Sequence, residues 1–261
     1  MKNKKKDNMN TKKINLIFIH GLGFNKKIWF FLRKKLKKKF KIYMINLPTP
    51  NTTKNFYIEL NKFIYKKILK IPYNSILIGW SLGGILATLL TLKIPEKILS
   101  LVTISSSPCF LKKKFWPGMQ YSQIKKLQKE LIYNYKNSIK NFINLQKNKN
   151  NKKNIKILKK KIISIAKPNI LSIKFNVKML IKIDLRKIIQ KIKIPILRIY
   201  GEFDAIVPKK ISYLLNNLLN DNNSYIIKKS NHAPFISHLD NFNNILLKFI
   251  QKNIYLKNFI L

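Results

Sequence analysis

The chain has one cysteine, Cys109. That excludes an intramolecular disulfide framework and fits a reducing compartment. Long apolar runs are missing too, and no uninterrupted stretch is of bilayer-spanning length. Met1 to Lys13 is polar and lysine-rich, without the apolar centre of a secretory signal. A cytoplasmic location away from membranes is therefore expected, with residues 1–12 as a loose basic tail. Acidic residues number only nine: Asp7, Glu59, Glu96, Glu130, Asp184, Glu202, Asp204, Asp221 and Asp240. Histidines number three, His20, His232 and His238. So few groups can serve as catalytic acid or base that each can be weighed by name.

Arginine is scarce as well. The net charge is +45, yet Arg33, Arg186 and Arg198 are the only arginines among 54 basic residues. Nucleic-acid readers favour arginine, whose planar fork matches phosphate. Lysine, asparagine and isoleucine, all abundant here, share A/T-rich codons. Mutational drift therefore explains the charge better than nucleic-acid binding does. A basic patch confined to one face would argue the other way.

Hydrophobic residues make up 46% of 261, enough for a substantial core. The chain is organised around Gly79-Trp80-Ser81-Leu82-Gly83-Gly84. Before it, Ser75-Ile76-Leu77-Ile78 has the character of a buried strand. After it, Ile85 to Leu90 reads as a buried helix. A serine on a sharp strand-to-helix turn, in the pattern G-x-S-x-G, is a nucleophile elbow. The glycines two positions to either side avoid collisions with the neighbouring strand and helix. A Gly-rich turn alone does not establish catalysis; the context must supply partners.

Strands at Ile14–Ile19, Ile42–Ile45, Ile98–Ser105, Pro195–Tyr200 and Ser224–Ile227 join the elbow strand. Helical patterns over 26–39, 55–70, 208–219 and around Phe242–Ile250 alternate with them. That alternation predicts an α/β fold with a mostly parallel sheet covered by helices on both faces. From Cys109 to Asp184 strand signals fade, and helical stretches cover Ser122–Tyr135, Ile139–Gln146 and Asn154–Ile165. Residues 109–184 therefore read as a helical cap inserted into a core of 13–108 and 185–261. The tract 147–153 reads as a loop or a poor helix, and as a solvated charge run in either case.

A serine nucleophile needs a base, and the base an orienting acid. Ser81, Asp204 and His232 each follow a predicted strand in the order Ser, acid, His, at one edge of a parallel sheet. Glu202 is the second candidate acid. Asp184 is a third, or else caps a helix over 185–192. His238 reads as a packing histidine. The oxyanion hole needs two backbone donors, expected from Leu82 and Leu22, with His20-Gly21 as the turn that places the second.

These motifs resemble the α/β-hydrolase superfamily, and within it the pimeloyl-[acyl-carrier protein] methyl ester esterases of biotin biosynthesis. The resemblance rests on His20-Gly21-Leu22-Gly23, the elbow, Ser105-Ser106-Ser107-Pro108-Cys109-Phe110, Trp116-Pro117-Gly118, Asp184-Leu185-Arg186, Leu197–Gly201 and His232-Ala233-Pro234-Phe235-Ile236-Ser237-His238. It implies an α/β-hydrolase fold and hydrolysis of a carrier-linked methyl ester with release of methanol. Ser81 is then nucleophile, His232 base and acid, and Asp204 its orienter. Substrate contacts would be Leu22, Ser81, Leu82, Phe142, Ile143, Asn144, Leu145, Gln146 and His232. The partner implied is acyl carrier protein; no metal or cofactor is implied, and a monomer is expected. Two positions depart from the family pattern: Leu22, commonly tryptophan, and Asn46-Leu47-Pro48-Thr49-Pro50, where relatives carry a glycine-richer loop.

Three other readings are open. A general short-chain carboxylesterase would use the same triad, and comparing carrier-linked with free methyl esters separates the two. A nucleic-acid binder would bind DNA with a steep salt dependence. A decayed hydrolase conflicts with the intact Ser81, Asp204 and His232. In the cap, Lys140, Lys147, Lys156, Lys159 and Lys160 could form a basic rim. Lys152, Lys156 and Lys160 fall on one helix face, with Ile155, Leu158 and Ile162 turned the other way.

Overall fold

The computed structural model describes the backbone of residues 14–258 and the side chains through residue 253. The expected tail at 1–12 lies outside the described residues. Among the described residues six strands form one sheet: β1 (Asn15–Ile19), β2 (Lys41–Ile45), β3 (Ser75–Trp80), β4 (Ile98–Ile104), β5 (Ile196–Gly201) and β6 (Ser224–Ile227). Their order is β2-β1-β3-β4-β5-β6, with every pair parallel. Buried on both faces, β1, β3 and β5 are apolar almost throughout, as interior parallel strands must be. β2 lies at the edge and is half exposed.

The core helices are α1 (Phe30–Leu36), α2 (Phe56–Ile68) and α3 (Leu82–Lys93) in the first half. The insertion between β4 and β5 contributes α4 (Tyr121–Tyr133), α5 (Tyr135–Leu145), α6 (Lys152–Ile163) and α7 (Ile170–Lys182). The chain closes with α8 (Lys210–Leu219), α9 (Pro234–Ser237) and α10 (Leu239–Asn258). α3 is buried nearly all round, which accounts for a composition with little polar face.

The chain runs from β1 out to β2, then crosses back to β3 on the other side of β1. The switch point therefore lies between β1 and β3, and the crevice past their carboxyl ends is where such sheets place ligands. β1 leads into the His20–Gly23 turn and β3 into Ser81.

The two ends of the insertion meet. Cys109 and Asp184 form an antiparallel bridge, and Leu185 N–H donates to the Pro108 carbonyl at 2.8 Å. Trp116 Nε1 donates to Ser107 Oγ and to the Cys109 carbonyl, at 3.1 and 3.0 Å. The Arg186 guanidinium lies over the Trp116 ring. The Ser-Ser-Pro-Cys-Phe, Trp-Pro-Gly and Asp-Leu-Arg stretches thus build one knot at the base of the insertion.

Two local expectations need correction. No α-helix spans 185–192; a turn leads to a single 3-10 turn, Ile189–Lys191, and Asp184 Oδ1 accepts the Arg186 N–H instead. The tract 147–153 is not merely solvated. Its lysines are exposed, but Asn151 is buried, and Asn148 and Asn151 both bond to the chain beyond His232.

Candidate active site

Ser81 has φ +54° and ψ −123°, a left-handed backbone that a serine seldom adopts. Three bonds hold it there: its N–H donates to the Ile104 carbonyl at 2.8 Å, and its carbonyl accepts from the Gly84 N–H at 2.9 Å and from Ser106 Oγ at 2.7 Å. The flanking glycines are sterically required. A Cβ on Gly79 would sit 2.3 Å from the Gly83 carbonyl oxygen, and one on Gly83 would sit 2.4 Å from that of Ile19. Both collisions are with backbone, so no side-chain rotation relieves them. Leu82 opens α3, so its N–H has no acceptor within the helix.

Of the three candidate acids, Asp204 is the one that faces His232. Asp204 Oδ2 lies 2.8 Å from His232 Nδ1, and its Oδ1 accepts the N–H groups of Ile206 and Val207, each at 2.9 Å. Three bonds fix a carboxylate whose side chain is fully buried. A carboxylate accepts, so Nδ1 of His232 carries the proton and Nε2 is the basic nitrogen. Glu202 is engaged elsewhere: Oε2 accepts the N–H of Lys229, itself at φ +57°, and Oε1 faces Lys209. Asp184 pairs with Arg186, whose guanidinium holds its carboxyl below the usual carboxylate range. His238 bonds to Ser237 Oγ, away from the acid.

His20 is buried under the turn after β1. Its Nδ1 lies 2.9 Å from the Gly21 carbonyl, and its Nε2 accepts the Leu47 N–H at 3.3 Å. It is therefore the neutral Nδ1–H tautomer. Burial pushes its pKa from 6.5 to about 4, against the smaller opposing effects of bonds to Gly21 and Asn46. It braces the turn that carries Leu22 and pins the 46–50 loop, which Asn176 Nδ2 holds from α7 through the Pro48 carbonyl at 3.2 Å.

Ser81 and His232 line one cavity under the insertion. Its walls are mainly apolar, with Leu22 and Phe24 from the β1 turn, Leu127 and Leu131 from α4, Phe142 from α5 and Ile206 from the acid's loop. Of the Phe142–Gln146 stretch, only Phe142 lines this cavity. Ile143 is buried in the insertion, Asn144 and Leu145 are exposed, and Gln146 is turned toward the histidine loop. Among the described residues no three or more metal-capable side chains cluster, and no helix is long and apolar enough to cross a membrane.

Sequence reasoning missed α7, Ser106, and the asparagines beside His232. Asn169 caps α7 through the Ser172 N–H, and Ile173, Val177 and Leu180 recur along its buried face, so that helix was readable. Nothing in local spacing marks the others, whose bonds are long-range.

An acid-paired histidine and a serine on a strained elbow, at the switch point of a parallel sheet, define the hydrolase class. The α/β-hydrolase fold model matches residues 14–239, and the chain belongs to that family. The chain is 40% identical over 248 residues to the pimeloyl-[acyl-carrier protein] methyl ester esterase of Wigglesworthia glossinidia brevipalpis, covering 92% of this chain and 94% of the relative. Solved structures share the fold at lower identity. An esterase from Exiguobacterium antarcticum aligns with a TM-score of 0.75 and 17% identity, over 91% of this chain and 92% of its own. A bromoperoxidase from Bacillus anthracis gives 0.75 and 18%, over 92% of each chain.

Proposed function

We propose that this chain is a serine esterase that hydrolyses the methyl ester of pimeloyl-[acyl-carrier protein], releasing methanol and freeing the pimeloyl group for biotin assembly. The observation that carries the catalytic part is the buried Asp204–His232 pair opening on the cavity that Ser81 lines. The substrate follows from the relative that matches nearly end to end.

His232 Nε2 takes the proton from Ser81 Oγ as the oxygen bonds to the ester carbonyl carbon. The carbonyl oxygen becomes an oxyanion, received by the N–H groups of Leu82 and Leu22. Collapse breaks the bond to methoxide, which leaves as methanol with the proton from His232. Water then adds to the acyl-enzyme by the same route and restores Ser81. Asp204 stays a carboxylate throughout and stabilises the imidazolium. No step needs a metal or organic cofactor.

Residues 109–184 act as the cap over a core of 13–108 and 185–261. The partner is acyl carrier protein, the setting cytoplasmic, and the chain works as a monomer. Exposed lysines lie on both core and cap, including Lys34, Lys62, Lys126, Lys156 and Lys210. That spread fits compositional drift better than a nucleic-acid surface. The test is to trap Ser81 with a serine-reactive phosphonate, then compare turnover of the carrier-linked and free methyl esters. Labelling at Ser81 with a carrier-linked preference supports the reading. Labelling without that preference points to a general carboxylesterase.

A further inference from the structure

The peptide between His232 and Ala233 is held at both ends by different parts of the molecule. Its carbonyl accepts Trp80 Nε1 from the core at 2.8 Å. Its N–H donates to Gln146 Oε1 from the end of α5 at 3.1 Å. Gln146 is 2% exposed, and its Nε2 turns back to the Phe142 carbonyl at 3.2 Å, which fixes the amide's orientation. Asn151, at 6% exposed, ties the same place together: Nδ2 donates to the Gln146 carbonyl at 2.8 Å and the Ile236 carbonyl at 3.3 Å. Its Oδ1 accepts the Asn148 N–H at 2.8 Å. Asn148 Nδ2 donates to the Ser237 carbonyl, and Asn231 Nδ2 to the Leu145 carbonyl at 2.7 Å.

We infer that Gln146, seated by Asn151, is a positioning residue for the catalytic histidine. The helical insertion orients the base as well as covering the site. Burying the Gln146 and Asn151 amides at one contact is costly unless both are bonded, and here their bonds, with those of the partly exposed Asn148 and Asn231, run to or support the His232 loop. Asp204 fixes Nδ1, and the Trp80 and Phe142 rings flank the imidazole at 5.6 and 6.0 Å between centroids, so what remains to be set is the backbone position from which the ring projects. The clamped peptide sets the backbone from which the ring projects, and so sets the direction of Nε2. Misplacing a reacting group by an ångström costs about a hundredfold in rate. Gln146 is thereby distinguished from a substrate contact, which would act chiefly on KM.

This inference rests on His232 being the base, and the experiment keeps the two separable. The purified full chain is assayed with a small neutral methyl ester as Gln146→Leu, Gln146→Glu, Asn151→Ala, His232→Ala and, as an exposed control, Lys149→Ala. Gln146→Leu removes the acceptor and should lower kcat by about ten- to a hundredfold with KM nearly unchanged. Gln146→Glu keeps an acceptor for the Ala233 N–H and should recover most of that loss. Asn151→Ala, well away from the cavity, should reproduce a smaller fall in kcat. The downfield proton resonance of the His232–Asp204 bond should broaden or move in Gln146→Leu, while circular dichroism stays native. A normal kcat in Gln146→Leu, or a loss carried by KM alone, overturns the positioning role. An active His232→Ala would overturn the underlying site assignment instead. If Gln146→Leu fails to fold, Asn151→Ala and Gln146→Glu decide: full activity in Asn151→Ala together with a dead Gln146→Glu also overturns the inference.

Discussion

Ser106 Oγ donates to the carbonyl of Ser81 at 2.7 Å, so the residue that follows β4 by two positions holds the backbone of the residue that follows β3. The contact needs Gly84: a Cβ there would sit 2.3 Å from Ser106 Oγ. The elbow is therefore a three-part lock, in which Gly79 and Gly83 make room for the turn and Gly84 makes room for the side chain that secures it. A left-handed φ at a non-glycine residue costs of order 1–3 kcal/mol and persists only where its surroundings over-determine it.

Ser81→Ala should abolish ester hydrolysis, by at least about four orders of magnitude, without changing the fold. Alanine meets the same φ penalty as serine and disturbs none of the three bonds to the backbone of residue 81. His232→Ala should be about as damaging, and the double variant scarcely worse than either, because triad members act as a unit. Steady-state kinetics on a chromogenic short-chain ester checks this. Near-normal turnover in Ser81→Ala, with labelling of another residue, would place the nucleophile elsewhere.

Asp204→Asn should lower kcat by about three to four orders of magnitude, since an amide offers its N–H to Nδ1 and favours the wrong tautomer. Glu202→Gln should leave kcat within the same order, because Gln keeps an acceptor for the Lys229 N–H and never faces the imidazole. The ranking of the two variants is the measurement. A larger loss in Glu202→Gln would reassign the acid.

The elbow, the strand-helix alternation and the order of Ser81, Asp204 and His232 were legible because each is written in consecutive residues. Buried parallel strands announce themselves as short apolar runs, and the glycine spacing is dictated by contacts within one turn. Position after β5 favours Asp204 over Glu202, but the bond that separates the two was not legible. They stand two residues apart, and only the path of the chain after β5 decides which reaches Nδ1. The asparagines of 147–153 were misjudged for a related reason. In a chain rich in lysine and asparagine, a bonded amide and a solvated one read alike, and only the approach of the His232 loop separates them. The 185–192 segment has helix-forming residues, but Asp184 binds Arg186, and the chain must turn at once into β5.

His20 makes stability depend on pH in a definite direction. Its pKa falls from 6.5 unfolded to about 4 folded, so the unfolded chain binds the extra proton between those values. The contribution is fully present above pH 6.5 and is lost as pH falls through about 4, amounting to roughly 3 kcal/mol at most. His20→Gln lacks this titration. The difference in urea stability between native protein and variant should therefore shrink by up to that amount from pH 7.5 to pH 4, other groups cancelling. A difference that stays constant across that range would mean His20 is not buried neutral.

The lysine face of α6 bears on how an acidic carrier reaches the site. Lys156 and Lys160 are exposed one turn apart, and Ile155, Leu158 and Ile162 are buried on the opposite side. Lys140 and Lys147 are exposed on either side of the Phe142–Gln146 stretch, whereas Lys159 is half-buried. Such a face steers a polyanion only through solvent-exposed charge, and exposed charges are screened beyond about 8 Å at physiological ionic strength. Value of kcat/KM for the carrier-linked ester should therefore fall as salt rises, while that for a small neutral methyl ester hardly changes. Lys156→Glu with Lys160→Glu should deepen the loss for the carrier-linked substrate alone and flatten its salt curve, because the variant has less attraction left to screen. Parallel salt curves for the two substrates would instead mark the face as a product of codon drift, leaving the carrier preference to reside in the cavity that Ser81, Phe142 and His232 line.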